Sequence, residues 1–375
     1  MNVFLPSLPG MAVHFGVDYP VMQLSVSAYI GMTAFLQLLA GPISDRYGRR
    51  PVVLGSLAIF LLATAGTLLA TTAGMFLVFR TLQSAIAACM LVPRAVVRDL
   101  YDGSKAASMI GYVTMGMAVV PMFAPVIGGI LDEAFSWHAN FIMLGVAGML
   151  AFVLAWFDMG ETVRDGGLSM RKQLKNYPLL ARSRRFWGYC AAATMTSGCF
   201  FAYLGGAPFV GKEVFGLSPS EVGYYFMLPS FGYMIGNFFS ARFTTRFGMS
   251  RMLLAGGVIC ALVLTLALLA DLQGMHSPYI FFGAIACTGI GNGLVLPNAN
   301  AGMMSVKPEL AGTASGLGGA LTVAGGAALS ALTGALLTKE TGALPLLVIM
   351  AVSAVFGLLA ILWVVRIERQ RFLQV

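Results

Sequence analysis

Charged residues are scarce in this sequence: Asp, Glu, Lys and Arg make up only 10% of its 375 residues. Soluble globular proteins carry about a quarter of their residues as charged groups. Because 58% of the residues are hydrophobic and the mean hydropathy is +0.83, the chain has too few polar side chains to cover a surface in water. The composition excludes a soluble class and predicts a protein whose surface lies in lipid.

Residue types that hold metals or perform catalysis are also few. The five cysteines lie inside apolar runs and lack the spacing of zinc sites: Cys89, Cys190, Cys199, Cys260 and Cys287. No pair of carboxylates inside an apolar run, no nucleophile arrangement and no phosphate-binding loop is visible in the sequence. We therefore expect no metal, no organic cofactor and no enzymatic activity.

Apolar runs of membrane-spanning length, about 20 residues, fill most of the chain. Eleven are predicted, at residues 21–42, 51–71, 75–97, 106–131, 138–159, 186–209, 221–243, 252–271, 278–303, 312–338 and 343–366. The segment 2–16 before them is apolar but short, because about 15 residues reach only about 22 Å across a core of about 30 Å. We interpret it as the second half of a twelfth helix and expect translation to start upstream.

The basic residues lie on one side of the predicted membrane. Cytoplasmic loops are rich in Lys and Arg, and nineteen of the 23 Lys and Arg residues fall in alternate connections or in the C-terminal tail. Only Lys212 and Lys339 fall on the other side, while Arg80 and Arg94 lie within a span. This asymmetry predicts twelve spans with both termini in the cytoplasm. It also assigns the net charge of +8 to contact with anionic lipid headgroups and not with nucleic acid.

The chain divides into two sets of six spans. Residues 161–185 form the longest polar segment, so we predict an N-terminal bundle over 1–160, a basic cytoplasmic linker over 161–185 and a C-terminal bundle over 186–375. The Arg-Tyr-Gly sequence at 46–48 recurs 200 positions later as Arg-Phe-Gly at 246–248. Parallel six-helix repeats with a substrate site between them are a transporter architecture.

The connection between the first two full spans is the most informative segment. It is short and charged, and it resembles the pattern G-x-x-x-D-R-x-G-R-R/K that joins helices 2 and 3 of the major facilitator superfamily. The matching residues are Gly41, Asp45, Arg46, Gly48, Arg49 and Arg50. The resemblance implies an all-α membrane fold of two six-helix bundles that transports by alternating access.

The resemblance also implies roles for the charges of this motif. Arg49 would pair with Asp99, and Asp45 would dock at the N-terminal end of the eleventh helix, near Gly312. A carboxylate at a helix N-terminus is stabilised by the helix dipole. Such a latch would close the cytoplasmic side and favour the outward-facing state. The alternative is a solvated cluster of ion pairs that contribute under about 1 kcal/mol each.

Arg80 and Arg94 lie inside the span 75–97. Arginine within a bilayer is costly and often functional, although both residues lie close enough to a span end to reach the headgroups instead. Arg80 matches the fourth-helix pattern L-x-x-R-x-x-x-G of the superfamily, with Ser84 in place of the glycine. The resemblance implies a role for this arginine in proton coupling, and we treat both arginines as candidates.

The fourth full span carries a run of proline and glycine. Pro121, Pro125, Gly128 and Gly129 resemble the fifth-helix signature G-x-x-x-G-P-x-x-G-G of antiporters, with Ala124 in place of one glycine. Proline bends a helix and glycine lets another backbone approach closely. The alternative is an ordinary kinked, tightly packed helix.

Further matches place the chain near the Bcr/CflA drug-resistance subgroup of drug:proton antiporters. They are the segments 4–9, 93–101, 136–138, 207–209 and 311–315. The resemblance implies a monomer of the bacterial inner membrane that uses the proton gradient to expel small amphipathic drugs, such as phenicol-, sulfonamide- or bicyclomycin-like compounds. Many relatives carry an acid where this chain has Asn2, so the sequence does not identify the proton carrier.

The substrate pocket is expected between the two bundles. Aromatic and methionine walls suit varied apolar ligands because they repack around them. Besides Arg80, the predicted lining residues are Tyr29, Gln37, Met115, Met122, Tyr203, Tyr225, Asn237, Asn292 and Asn298. Two other functions stay open: export of a natural metabolite such as an amino acid or sugar, and a membrane receptor or enzyme.

Overall fold

A computed structural model of the chain describes residues 2–100, 103–162, 178–307 and 310–372, without the side chains of some residues within the helices. The described residues are almost entirely helical, and no strand is found among them. The chain begins with a short rod, a 3₁₀ turn over Asn2–Ser7 followed by α1 over Leu8–Phe15.

Eleven longer rods follow within the described ranges. They are α2 (Tyr19–Tyr47), α3 (Arg49–Leu68), a rod built from α4 (Ala73–Leu82), a 3₁₀ turn (Gln83–Ala87) and α5 (Ala88–Leu100), then α6 (Gly103–Ala134), α7 (Trp137–Asp158), α8 (Arg184–Phe209), α9 (Pro219–Phe247), α10 (Met249–Leu272), α11 (Pro278–Ser305), α12 (Ala311–Leu336) and α13 (Leu344–Phe372). Each coincides with one predicted span. By length and composition alone, eight helices of the described chain can cross a membrane.

Local signals in the sequence set several helix boundaries. Gly16 ends α1 in the left-handed conformation with φ 62°, which glycine adopts without a steric penalty. Ser218 and Glu221 form a reciprocal capping box at the start of α9, which satisfies two backbone N–H groups that the helix leaves unpaired. Gly48 and Gly248 both have positive φ, 98° and 84°, and each separates two consecutive helices.

The repeat found in the sequence is present in the structure. α2 and α9 each contain 29 residues, and each ends one residue before the matching glycine. α3 and α10 begin directly after Gly48 and Gly248, again 200 positions apart. The second helix pair therefore repeats the local geometry of the first, even though Thr245 replaces Asp45.

The helices of residues 2–162, here called the N-terminal half, pack mainly on one another, and so do those of residues 178–372, the C-terminal half. Two helix pairs make the most extensive contacts between the halves: α2 with α12, and α6 with α9. Many large apolar side chains, among them Leu62, Leu154 and Phe238, are exposed on the surface. In water such a surface would aggregate, whereas in lipid it is the expected one.

Candidate functional site

Arg49 is the centre of the charged cluster between α2 and α3. Its side chain forms an ion pair with Asp45, donates to the Ser44 hydroxyl at 2.6 Å, and donates through Nε to Asp99 Oδ2 at 3.1 Å. Arg49 is only 8% exposed, so its charge requires these partners. The pairing of Arg49 with Asp99 that the sequence predicts is present, and it ties α3 to the end of α5.

Glu161 completes this cluster from the far end of α7. Its carboxylate accepts the backbone N–H of Arg49 at 2.9 Å and that of Arg50 at 3.3 Å, which caps the N-terminus of α3. A Cβ added at Gly48 would clash with this carboxylate. Sequence analysis placed Glu161 in the basic linker and missed this contact. The available signal was an acid directly after a span in an otherwise basic region.

The other two arginines of the motif lie closer to the surface. Arg50 donates to the Trp156 carbonyl at 2.8 Å and stacks over that ring at 5.7 Å. Arg46 is exposed and stacks over Tyr47 at 5.3 Å. Of the three arginines, only Arg49 is enclosed by carboxylates, so it holds the cluster together while Arg46 and Arg50 remain available to headgroups.

We call the end of the molecule that carries residues 44–51 the motif end and the other the opposite end. Among the described residues, the expected contact of Asp45 with the N-terminus of α12 is not observed, and Asp45 pairs with Arg49 of its own half. On α12, a Cβ added at Gly312 or Gly316 would have no described atom within 4 Å. The predicted latch is therefore open in this conformation.

Arg80 lies in a closed aromatic cage. Its guanidinium stacks between the rings of Phe4 and Tyr29, at 4.3 Å from each centroid, and donates to Gln83 Oε1 at 2.6 Å. The Gln83 amide in turn donates to the Thr64 hydroxyl at 2.8 Å. Arg80 is 1% exposed, which excludes the alternative that it extends to the headgroups. Two desolvated cation–π contacts stabilise its charge.

Three predicted site residues cannot be placed in the same detail. Gly41, Arg94 and Met115 lie within helices, but their side-chain surroundings fall outside the described residues. The roles predicted for Arg94 in proton coupling and for Met115 in the pocket stay predictions.

The proline and glycine run of α6 makes close contact with both halves. A Cβ at Gly128 would clash with the carbonyl of Val3, and one at Gly129 would clash with the carbonyl of Pro219 on α9. Pro121 and Pro125 lie inside the helix. The run is therefore a close-packing surface between the halves, as a tightly packed kinked helix also provides, and its role as an antiporter signature stays a prediction.

Hydrogen bonds also join the halves near the opposite end. The Tyr19 hydroxyl donates to the Gly205 carbonyl at 2.8 Å, and Gln23 Nε2 donates to both the carbonyl and the hydroxyl of Ser330 at 2.9 Å. Gln23 is 1% exposed and also fills the space beside Gly334. Sequence analysis missed Gln23, although a glutamine inside a span is itself a signal for an interhelical hydrogen bond.

Together these contacts define one conformation. Among the described residues, the hydrogen bonds observed between the halves lie near the opposite end, where α2 meets α12 and α6 meets α9. At the motif end, Gly312, Gly316 and Gly319 of α12 have no described neighbour at the Cβ position within 4 Å. We interpret these contacts of the described residues as a conformation closed at the opposite end and open at the motif end.

Three predicted pocket residues are buried residues of the C-terminal half, and their role in a pocket stays a prediction. Tyr203 is fully buried and packs on Phe226 with ring centroids 4.6 Å apart. Asn298 is 2% exposed and donates to the Ser240 hydroxyl at 2.8 Å. Asn292 is 4% exposed. The Asn298 amide is used in helix packing, whereas the Tyr203 hydroxyl and Asn292 Oδ1 have no hydrogen-bond partner among the described residues.

The remaining pocket candidates are partly exposed. Tyr225 stacks on Phe282 with centroids 4.2 Å apart, and the Asn237 side chain donates to a carbonyl of its own helix at 2.8 Å. Gln37 and Met122 are half-buried. These four residues stay candidates for contact with a substrate, whereas Tyr29 is engaged with Arg80.

Residues 1–330 and 212–373 match the family model described as Major Facilitator Superfamily, so the match extends over nearly the whole chain. The chain belongs to the major facilitator superfamily. It is a multi-pass membrane transport protein. Two of the family sequence patterns coincide with contacts observed in the structure. They are the charged cluster around Arg49 and the glycine-rich part of α6.

Solved structures of this superfamily have the same fold. A variant of the peptide transporter POT in complex with alafosfalin superposes with a TM-score of 0.80 at 14% identity, covering 98% of this chain and 91% of that one. A bacterial homologue of the human lysosomal transporter Spinster, inward-facing and unoccupied, gives a TM-score of 0.75 at 18% identity and covers 97% and 92%. At these identities the likeness concerns the fold alone.

Sequence relatives are more specific. The bicyclomycin resistance protein homolog of Haemophilus influenzae is 28% identical, covering 96% of this chain and 91% of that protein. The chloramphenicol resistance protein of Pseudomonas aeruginosa is 31% identical, covering 86% and 78%. Multidrug resistance protein D of Escherichia coli K12 is 30% identical, covering 88% and 83%. These relatives confirm the resemblance to the Bcr/CflA subgroup.

Proposed function

We propose that this superfamily member is a drug efflux antiporter of the bacterial inner membrane, which expels small amphipathic drugs in exchange for protons. The observation that carries the proposal is that relatives named for bicyclomycin, chloramphenicol and multidrug resistance match it along most of their length. Phenicol-, sulfonamide- and bicyclomycin-like compounds are the substrates to test first. The protein would act as a monomer.

Transport would proceed by alternating access between the two halves. The basic residues of the motif end favour a cytoplasmic position for that end, so the described conformation would admit a drug from inside. Opening at the opposite end would require separation of α2 from α12 and of α6 from α9. The close glycine contacts on α6 support such a movement, because two backbone surfaces without interdigitating side chains can separate without side-chain rearrangement.

Proton coupling would involve Arg80. Among the described residues, every Asp and Glu lies in a connection or within about one helical turn of a helix end, so these parts of the spans offer no carboxylate near the membrane centre. Arg80 is an almost fully buried ionisable group within a span of the N-terminal half, and the aromatic cage connects it to α2. One proton crossing 100 mV releases about 2.3 kcal/mol, which supports roughly 50-fold accumulation of an uncharged drug.

The proposal is tested by efflux from cells that lack other pumps. Accumulation of chloramphenicol, a sulfonamide and bicyclomycin is measured with and without the protein, and again after a protonophore collapses the gradient. We expect lower accumulation of at least one compound, reversed by the protonophore. The Asp45→Asn variant should insert into the membrane normally and lose this activity.

Two outcomes would overturn the proposal. If no drug is expelled but an amino acid or sugar is, the protein is a metabolite exporter. If drug efflux persists unchanged after the gradient is collapsed, proton exchange does not drive it.

A further inference from the structure

Glu133, near the end of α6, makes a contact between the halves that is separate from the motif. Its carboxylate accepts the backbone N–H of Ser220 at 2.9 Å and the Ser220 hydroxyl at 2.6 Å. Ser220 is the second residue of α9, so a carboxylate of the N-terminal half caps a helix of the C-terminal half. Glu133 lies beyond the predicted span 106–131, at the opposite end of the molecule.

The chemistry of this contact favours an ionised carboxylate. The first N–H groups of a helix have no intrahelical acceptor, and the helix dipole attracts negative charge there. The Ser220 hydroxyl and amide, with Ser218, hold the pKa of Glu133 below its usual range. α9 already has its own capping box from Ser218 and Glu221, so Glu133 is not needed to begin this helix.

The surrounding backbone shows why the contact depends on the position of the halves. Gly129, one helical turn before Glu133, meets the carbonyl of Pro219, and Gly223 of α9 meets the carbonyl of Pro125 at 2.5 Å from an added Cβ. The two helix ends touch without intervening side chains. A separation of only a few ångströms would break both hydrogen bonds of Glu133 together.

We propose that Glu133 and Ser220 form an outer latch that stabilises the conformation open at the motif end. The proposal rests on the two-state alternation of the proposed function and is independent of the substrate and of proton coupling. Under this proposal, each conformation has one carboxylate of the N-terminal half at a helix N-terminus of the C-terminal half. In the described conformation this is Glu133 on α9, and in the alternate conformation it is Asp45 on α12.

The experiment measures the separation of the halves at the opposite end. Spin labels are attached to cysteines introduced at Phe135, 78% exposed after α6, and at Met275, 50% exposed after α10, in full-length protein in nanodiscs. Cys89 and Cys287 are replaced by serine, because the other three cysteines are buried. Double electron–electron resonance then gives the distance distribution between the labels.

Loss of the outer latch should populate a longer distance. We expect Glu133→Ala to raise the long-distance population roughly two- to fivefold, because Glu133 is exposed and exposed charged contacts contribute less than about 1 kcal/mol, which corresponds to about fivefold. Ser220→Ala should raise it less, because the backbone N–H remains. The matched control is Glu221→Ala, which removes the same charge from the same helix end but breaks only a contact within the C-terminal half.

An unchanged distribution in both Glu133→Ala and Ser220→Ala would overturn the proposal. An equal shift in Glu221→Ala would also overturn it, since helix fraying would then explain the result. The distance measurement needs no drug and no proton gradient, so a negative efflux assay in cells does not affect its interpretation. In the same way, an unchanged distance distribution does not affect the interpretation of the efflux assay.

Discussion

Single residues in this protein take their roles from the partners that burial provides. Arg46 and Arg80 are both arginines over aromatic rings, but Arg46 stacks on one exposed ring at 5.3 Å and Arg80 lies between two rings at 4.3 Å. A cation–π contact is worth more when water is excluded. The same side chain is therefore a surface group in one place and a structural centre in the other.

The cage around Arg80 predicts a difference between two tyrosine variants. Tyr29→Ala should destabilise the protein by about 2 kcal/mol, because it removes a desolvated cation–π contact, whereas Tyr29→Phe keeps the ring and should cost little. The measurement is the apparent melting temperature of purified protein. Tyr47→Ala, which removes the exposed ring under Arg46, is the control. Equal melting temperatures for Tyr29→Ala and Tyr47→Ala would contradict the role of the cage.

Gly48 and Gly248 offer a second comparison at the residue scale. Alanine at either position should lower the free energy of unfolding by about 1 to 2 kcal/mol, because both glycines have positive φ. Only at Gly48 would the added Cβ also displace the exposed carboxylate of Glu161, at a further cost of about 0.5 to 1 kcal/mol for the weakened helix cap. The apparent melting temperature of Gly48→Ala should therefore be lower than that of Gly248→Ala. The reverse order would argue against the Glu161 cap.

At the scale of helices, α6 and α12 decide how the halves meet. Both present small residues to the other half, so contact is made by backbone and by a few polar side chains. α12 receives Gln23 beside Gly334, and α6 receives Pro219 beside Gly129. Such surfaces associate closely in lipid because the favourable free energy of association comes from van der Waals contact and hydrogen bonds, not from hydrophobic burial.

A methyl group on α6 should force the opposite end apart. In Gly129→Ala the new Cβ would clash with the Pro219 carbonyl, which cannot move without shifting α9. The label pair at Phe135 and Met275 should then report a larger long-distance population. Gly283→Ala is the control, since its Cβ would have no described atom within 4 Å. No change in Gly129→Ala would show that this contact does not limit opening.

Acid should also weaken the closure made by α6. Because its partners lower the pKa of Glu133, the contribution of Glu133 to closure is fully present above the usual glutamate pKa of about 4.3. It is lost as the pH falls through the lowered value. Asp132 beside it, Glu221 on α9 and Lys212 after α8 are the other charged groups nearby.

The pH dependence is measured with the same labels between pH 7 and pH 3. The parent protein should open at the acid end of this range, and Glu133→Gln, which does not titrate at this position, should show a weaker response. The difference between the pH dependence of the parent protein and that of Glu133→Gln gives the contribution of Glu133, separate from those of Asp132 and Glu221. Identical curves would assign the response to those other acids.

At the scale of the whole molecule, charge on alternate connections sets the orientation. Nineteen of the 23 basic residues lie in connections that the sequence predicts on the side of the motif end, so that end should face the cytoplasm. Tags inserted after Asp102 and after Arg371 should be inaccessible to impermeant reagents in intact cells, and a tag after Gly274 should be accessible. Labelling of the first two from outside would reverse the assignment of entry and exit.

The sequence by itself determined the approximate positions of the long helices, the position of the charged motif and the repeat of 200 residues. These features depend on local properties: the length of an apolar run, a capping pair such as Ser218 and Glu221, and a glycine at a positive φ. The pairing of Arg49 with Asp99 came from a family pattern, and the observed distance agrees with it.

Only the tertiary structure decided which faces of the spans meet. It paired Asp45 with Arg49 and not with α12, brought Glu161 to the start of α3, buried Tyr203 inside one half and joined Glu133 to Ser220. In a lipid-exposed helix the outward face is as apolar as the packed one, so hydrophobic periodicity does not indicate the direction of a side chain. That direction depends on the rotation and tilt of each helix against its neighbours.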